Sequence, residues 1–263
     1  MKENIKSKIN DLVFIWQFAM DDFRAKYAGS VLGGIWAFLQ PIITIVLYWF
    51  IFQLGFKSQP VKDFPFILWL IAGLVPWFFI SDAVSNATAS MIEYSYLVKK
   101  VLFNINILPL AKIISSLLVH MVLILFVMII YICWGYFPDV YYLQIPIYLI
   151  YMTILISGIV YLTTTLYVFF KDVIQIVSIA LQIVFWLTPI VWELDVMPGI
   201  ARKVLVFNPV YYIIDGYRNI FVYKQWFNEN ILMIFYYWVI AILLLVIGLR
   251  LFGKCKDHFA DVL

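Results

Sequence analysis

Six stretches of this chain are apolar over close to membrane-spanning length: residues 31–54, 66–89, 113–136, 145–170, 173–192 and 231–252. A helix rising ~1.5 Å per residue needs about 20 apolar residues to cross a hydrocarbon core of ~30 Å. Little of the chain is left over, so the apolar runs leave one arrangement open: a single integral membrane domain rather than an anchored soluble one. Composition agrees. The chain is 65% hydrophobic and 13% charged, where a soluble domain is about half apolar and a quarter charged. The expected fold is all-α, with six transmembrane helices.

An even number of spans puts both termini on one side. Of the 18 basic residues, 12 fall on the side of the termini in this topology, and the positive-inside rule makes that side cytosolic. The loop at 95–109, "SYLVKKVLFNINILP", then faces the cytosol. Residues 1–22 lack the apolar core and cleavage site of a secretory signal, so none is expected. Cys133 and Cys255 fall on opposite sides and are not expected to pair. A net charge of +3 is too small to point to nucleic acid.

Residues 11–27, "DLVFIWQFAMDDFRAKY", read differently. On a helical wheel Leu12, Trp16, Ala19, Met20, Phe23 and Tyr27 share one face, and Asp11, Gln17, Asp21, Asp22, Arg24 and Lys26 the other. This is the pattern of an amphipathic helix lying in the membrane interface. It serves either as a surface anchor or also as a docking element for a partner. Residues 193–230 are too long for an ordinary connection. They are broken by Pro198-Gly199 and Asn208-Pro209 into pieces too short to span. Two short re-entrant or interfacial helices on the outer side are expected, because irregular backbone at membrane depth needs protein or an aqueous cavity around it. The alternative is a loop resting on the outer surface.

The residues offer little chemistry of their own. A phosphate-cradling G-x-x-x-x-G-K-[ST] loop is missing, since "GSVLGG" at 29–34 carries no lysine. The two histidines, His120 and His258, are far apart, so no metal site is expected. Acidic residues are scattered singly except Asp21-Asp22, which argues against an independent enzyme. Inside the spans, Asp82 and His120 each lie about seven residues from the inner end, at a common depth of ~10 Å. Intramembrane ionisable groups are normally functional. Either the two pair, or each is satisfied separately, Asp82 by Ser81, Ser85 and Asn86 or by water. Two such groups do not make a proton relay. Aromatics form 19% of the chain. Belts at the membrane faces account for Trp49, Trp69, Trp134 and Tyr141. Trp77, Phe185, Trp186, Trp192, Tyr211 and Tyr212 lie elsewhere. They serve helix packing, or they offer faces on which sugar rings stack in a channel.

Four segments resemble the type-two ABC exporter permeases that move lipid-linked polysaccharides. "FRAKYAGSVLGGIWAFLQPIITIVLYWFIF" matches through Arg24, Tyr27, Ser30, Leu32, Gly33, Trp36 and Pro41. "KDVIQIVSIALQIVFWLTPIVW" matches through Asp172, Phe185, Trp186, Thr188, Pro189 and Trp192, with Lys171 in place of an expected arginine. "NPVYYIIDGYRNIF" matches through Asn208, Pro209, Tyr217 and Arg218, and "DHFADVL" resembles the family's C-terminus.

This resemblance implies an export permease for O-antigen, capsule or teichoic-acid polymers in the cytoplasmic membrane. Two copies would form the channel, driven by two copies of a separate ATP-binding subunit that carries the ATP and magnesium; this chain would hold no cofactor. Residues 1–30 would form the N-terminal part with the interface helix, Arg24 and Tyr27 lying beside the ATPase, and 31–263 the permease domain. Residues 193–230 would form the outer gate, with Tyr217 joining the gate aromatics. Residues 90–112 would form the coupling loop. There Leu97, Val98, Val101, Leu102 and Phe103 would anchor in the ATPase, and Lys99 and Lys100 would supply orienting charge, unless the two lysines are topology signals near lipid headgroups. Glu93 would contribute at the same surface. Two other readings stay open: an exporter of small hydrophobic molecules with the same fold, and an ATP-independent enzyme or flippase for polyprenyl-linked sugars.

Overall fold

The computed structural model describes residues 2–57, 60–61, 64–100, 104–227 and 231–263, with side chains from residue 13 onward. Among them there is no strand; a lone bridge joins Val61 and Phe64. The helices are α1 (Lys2–Lys26), α2 (Trp36–Trp49), α3 (Phe66–Glu93), α4 (Ser95–Val98), α5 (Ile107–Cys133), α6 (Ile145–Phe169), α7 (Val173–Leu187), α8 (Gly199–Val206), α9 (Pro209–Arg218), α10 (Ile231–Cys255) and α11 (Phe259–Val262).

Five helical stretches are long and apolar enough to cross a membrane: Gly33–Gly55, Phe66–Glu93, Ile107–Cys133, Val140–Phe169 and Ile231–Val262. The run expected to span at 173–192 is a helix only over Val173–Leu187, 15 residues. That is ~22 Å, short of a full hydrocarbon core. Pro189 is the cause. The residue before a proline is pushed out of helical geometry, and Thr188 is extended at φ −94, ψ 134.

The helix α3 is the centre of the bundle. Of its most apolar window 78% is buried, against 11% and 17% for the first and last spans. Neighbouring helices are tied to it by polar contacts that hydrocarbon cannot replace. The Thr164 hydroxyl of α6 donates to the Thr88 carbonyl at 3.0 Å, and the Tyr131 hydroxyl of α5 donates to the Leu68 carbonyl at 2.8 Å. The peripheral helices keep apolar faces outward. On α7, Ile176, Ile179, Ile183 and Trp186 recur at helical spacing and are all more than half exposed. That is the stripe expected of a face meant for lipid or a second protein surface.

The wheel reading of residues 11–27 needs correction. The face of α1 that packs is Ile15 and Ala19, against Ile107 and Ala111 of α5. Asp22, expected on the polar face, is 4% exposed, whereas Trp16, expected on the apolar one, is 52% exposed. The register is set by Lys112 of α5, which provides a cation for Asp22. The same pairing lets α5 begin at Ile107, six residues before the expected start, with Lys112 inside the helix. Beyond α1 the glycines of "GSVLGG" turn the chain toward α2. Gly29 (φ 84) and Gly33 (φ 50) hold left-handed conformations that other residues rarely adopt.

Candidate functional site

Three polar centres interrupt this apolar bundle. The first surrounds Asp82 on α3. Its Oδ1 accepts from Lys26 Nζ at 2.8 Å and Asn86 Nδ2 at 2.7 Å, and its Oδ2 accepts from Ser116 Oγ at 2.6 Å. Lys26 closes an ion pair from the end of α1 to the middle of α3. His120, one turn beyond Ser116 on α5, lines the same cavity of about 440 Å³. It does not bond Asp82. Its Nε2 lies 2.7 Å from the Tyr217 hydroxyl, and its ring stacks on Phe79 at 5.0 Å. Of the two arrangements open for Asp82 and His120, separate satisfaction is the one found: Lys26, Asn86 and Ser116 meet the carboxylate, and Tyr217 meets the imidazole. Of the expected partners of Asp82, Asn86 is one; Ser81 instead donates to the Phe78 carbonyl.

The second centre flanks the loop at 90–112. Lys112 Nζ lies 2.7 Å from Asp22 Oδ1 and 2.6 Å from Glu93 Oε2. The Tyr94 hydroxyl donates to Asp22 at 2.6 Å. Burial, with the Asp22 hydrogen bond second, raises the Tyr94 hydroxyl well above its ordinary range, so it remains a donor at physiological pH. One lysine therefore joins α1, the end of α3 and the start of α5. The short helix α4 begins immediately after this cluster. Val98 is 6% exposed, and with Leu97 it packs in a cluster that includes Phe252 and Phe259 near the C-terminus. Val98 is thus buried within this chain. The outward groups of the described loop include Lys99, Lys100 and Tyr96, the last 59% exposed, together with Glu93, Asn104 and Asn106. Val101, Leu102 and Phe103 lie outside the described residues. Arg24 is exposed and pairs loosely with Asp21 at 3.5 Å, while Tyr27 lines the Asp82 cavity.

The third centre is Arg218, at the end of α9 and 4% exposed. Its Nη1 and Nη2 donate to the Pro189 and Ile190 carbonyls at 2.5 and 2.6 Å, and its guanidinium lies 3.5 Å from the Trp69 ring centroid. These carbonyls lie just past the end of α7, where no helix supplies them a donor, and the planar fork of arginine matches two adjacent acceptors. Arg218→Lys keeps the charge and forfeits the fork. We expect a loss of about 1–3 kcal/mol for the carbonyl left without a donor, read as a lower midpoint in thermal unfolding of the detergent-solubilised protein.

The aromatics divide by burial. Trp77, Phe185, Tyr212 and Tyr217 are each under 9% exposed. Phe185 sits between Tyr48 and Trp77, Tyr212 stacks on Tyr237 at 4.7 Å, and the Tyr217 hydroxyl is taken by His120. All four are packed among helices within the bundle. Trp186 is 53% exposed, Trp192 and Tyr211 are half-buried, and Trp192 Nε1 donates to the Trp186 carbonyl at 3.1 Å. The two short helices expected within 193–230 are α8 and α9. The first is exposed, with Ile200 83% accessible, and the second is buried against α3. Sequence reasoning missed the roles of Lys26, Lys112 and Asp22. In the sequence they are ordinary surface charges, and nothing in their spacing signals that Lys26 reaches Asp82 or that Lys112 meets Asp22.

Among the described residues no cluster of His, Cys, Asp and Glu could hold a metal ion. The arrangement instead is that of helices joined by buried polar ties. Comparison with known proteins identifies its kind. Residues 14–222 match the ABC-2 type transporter family. The chain is 28% identical to an O-antigen export system permease protein RfbA of Klebsiella pneumoniae, over 100% of this chain and 98% of the relative. It is 24% identical to an RfbA permease of Myxococcus xanthus, over 91% of each chain. It is also 24% identical to the polysialic acid transport protein KpsM of Escherichia coli, over 90% of this chain and 91% of that one. Since the matched region takes in every polar centre and all but the last of the spanning helices, this chain belongs to the ABC-2 type transporter family.

Proposed function

We propose that this chain is the permease subunit of an ATP-driven exporter that moves a lipid-linked polysaccharide across the cytoplasmic membrane. The observation that carries this reading is the end-to-end similarity to permeases of O-antigen export. ATP and magnesium belong to a separate ATP-binding subunit, present in two copies, and two copies of this chain enclose the path. The exposed stripe on α7 supports pairing of copies, since it offers a continuous apolar face beside the exposed Trp186. The helix α7, continued by the extended residues after Leu187, makes the sixth crossing, and with six crossings both termini face the cytosol, the side that the positive-inside count favours. The helix α9 re-enters from the outer side, which its burial against α3 supports.

The loop at 90–112 meets the ATPase through Tyr96, Lys99 and Lys100, three of its outward side chains. An aromatic flanked by cations is an effective anchor with steering charge. The test is purification of the tagged chain in mild detergent from its host, followed by identification of bound proteins. Recovery of a Walker-motif ATPase is expected, and Tyr96→Asp should reduce its recovery by tenfold or more, since burying an unpaired carboxylate costs at least about 1–3 kcal/mol. If the chain purifies alone under conditions that hold comparable complexes together, the reading fails.

A further inference from the structure

The cavity around Asp82 has the size and the polar lining of a small-molecule site. At about 440 Å³ it falls within the ~300–1,000 Å³ of small-molecule sites. Its wall combines Trp36, Gln40 and Thr44 from α2 with Asp82, Ser85 and Asn86 from α3, and Lys26 stands at its rim. Gln40 lies seven residues into the first spanning stretch, ~10 Å from its start. Among the described residues neither the Gln40 amide nor the Ser85 hydroxyl makes a side-chain hydrogen bond, and Gln40 is exposed. Polar groups at that depth are costly unless something polar meets them. Trp36, 44% exposed, presents an accessible aromatic beside them.

Charge narrows the occupant. Among the described residues lining the cavity, the one lysine is already paired with the one carboxylate, at 2.8 Å. A phosphate would face Asp82 with no free cation to meet it, a costly arrangement at low dielectric. A cationic ligand would have to displace Lys26. A neutral ring bearing several hydroxyls meets neither obstacle: its hydroxyls match Gln40, Ser85 and Asn86, and its C–H face matches Trp36. We propose that this cavity within one copy binds a neutral sugar ring of a lipid-linked glycan, with the lipid chain lying against the outward face of α2. This rests on the polysaccharide-export reading and specifies where its substrate is first held.

The test uses the complex with its ATP-binding partner in lipid nanodiscs and an alkyl hexoside carrying a diazirine on the sugar. Irradiation is expected to label peptides containing residues 36–44 and 81–86. Labelling should fall about tenfold in Gln40→Leu, the effect of losing one hydrogen bond of ordinary net strength. Trp36→Leu is a second variant, and elution as a single species establishes that each has folded. Free hexose at the same concentration should not compete, since it lacks the chain that concentrates the probe in the bilayer. Labelling elsewhere, or unchanged in both folded variants, while the complex still hydrolyses ATP and exports polymer, overturns the site and leaves the transport reading standing. Equal competition by an alkyl diphosphate without sugar overturns the neutral ligand. A complex without any ATPase overturns both.

Discussion

Gly158→Leu is expected to abolish recovery of folded protein. Helices α6 and α10 touch backbone to backbone at this point. A Cβ at Gly158 would lie 2.6 Å from the Leu245 nitrogen and 2.7 Å from the Leu244 carbonyl carbon, and a Cβ at Gly248 would lie 2.6 Å from the Gly158 carbonyl oxygen. Small residues permit such approach between membrane helices, where dispersion and close packing replace the hydrophobic drive available in water. Backbone atoms cannot swing aside as a side-chain end can, so the helices must separate along much of their contact. The loss should exceed the ~1–3 kcal/mol of ordinary overpacking. Gly253→Ala on the partner helix α10 is the control: nothing lies within 4 Å of a Cβ at that position, and the change should leave stability equal or slightly raised, by up to about 1 kcal/mol. Fluorescence-detected size-exclusion chromatography after graded heating separates the two outcomes. Equal midpoints for both variants would refute the close-approach account.

Lys112→Met should cost about 3–5 kcal/mol, the penalty for removing one partner of a buried ion pair. The lysine side chain is 10% exposed and that of Asp22 3%. Without the cation, the Asp22 carboxylate stays buried with Tyr94 alone as donor, and Glu93 loses its partner nearby. Replacing Asp22 as well should recover most of the loss, because exchanging a buried pair for apolar groups of similar size is often near neutral. The double variant Lys112→Met, Asp22→Leu is therefore expected closer to the parent than Lys112→Met alone. A simple sum of two losses would mean the groups act independently. The cycle also bears on coupling. The cluster joins α1 to the residue just before α4, so a double variant that regains stability but loses transport would assign the cluster a part in transmitting movement from the loop at 90–112. The proposed export activity measures that second quantity directly.

How far the sequence reached depended on whether a feature was local. Helical membrane architecture is local: runs such as 66–89 exclude water along their whole length, and backbone groups within them must pair along the helix. The missing phosphate loop was legible for the same reason, as were the breaks at Pro198-Gly199 and Asn208-Pro209. The true end of α7 could have been found from Thr188-Pro189, since the constraint before proline acts on the adjacent residue alone. The resemblance to polysaccharide exporters was carried by short motifs and agrees with the family match over residues 14–222.

Partnerships between distant residues were decided by tertiary structure. Asp82 and His120 share a depth, which sequence shows. Their partners, Lys26 56 positions away and Tyr217 97 positions away, follow from how α1 and α9 seat on the bundle. Asp22 looked like a solvated charge because a helical wheel orders side chains around an axis without saying which side another helix will cover. Lys112 decides that, by requiring a carboxylate at its own depth. In the same way Trp77, Phe185, Tyr212 and Tyr217 had the composition of a channel lining, and packing assigned them to the interior. Residue type determined that these groups need partners in a membrane; only the three-dimensional arrangement of the helices determined which partners they have, because burial is a property of surfaces meeting and not of either surface alone.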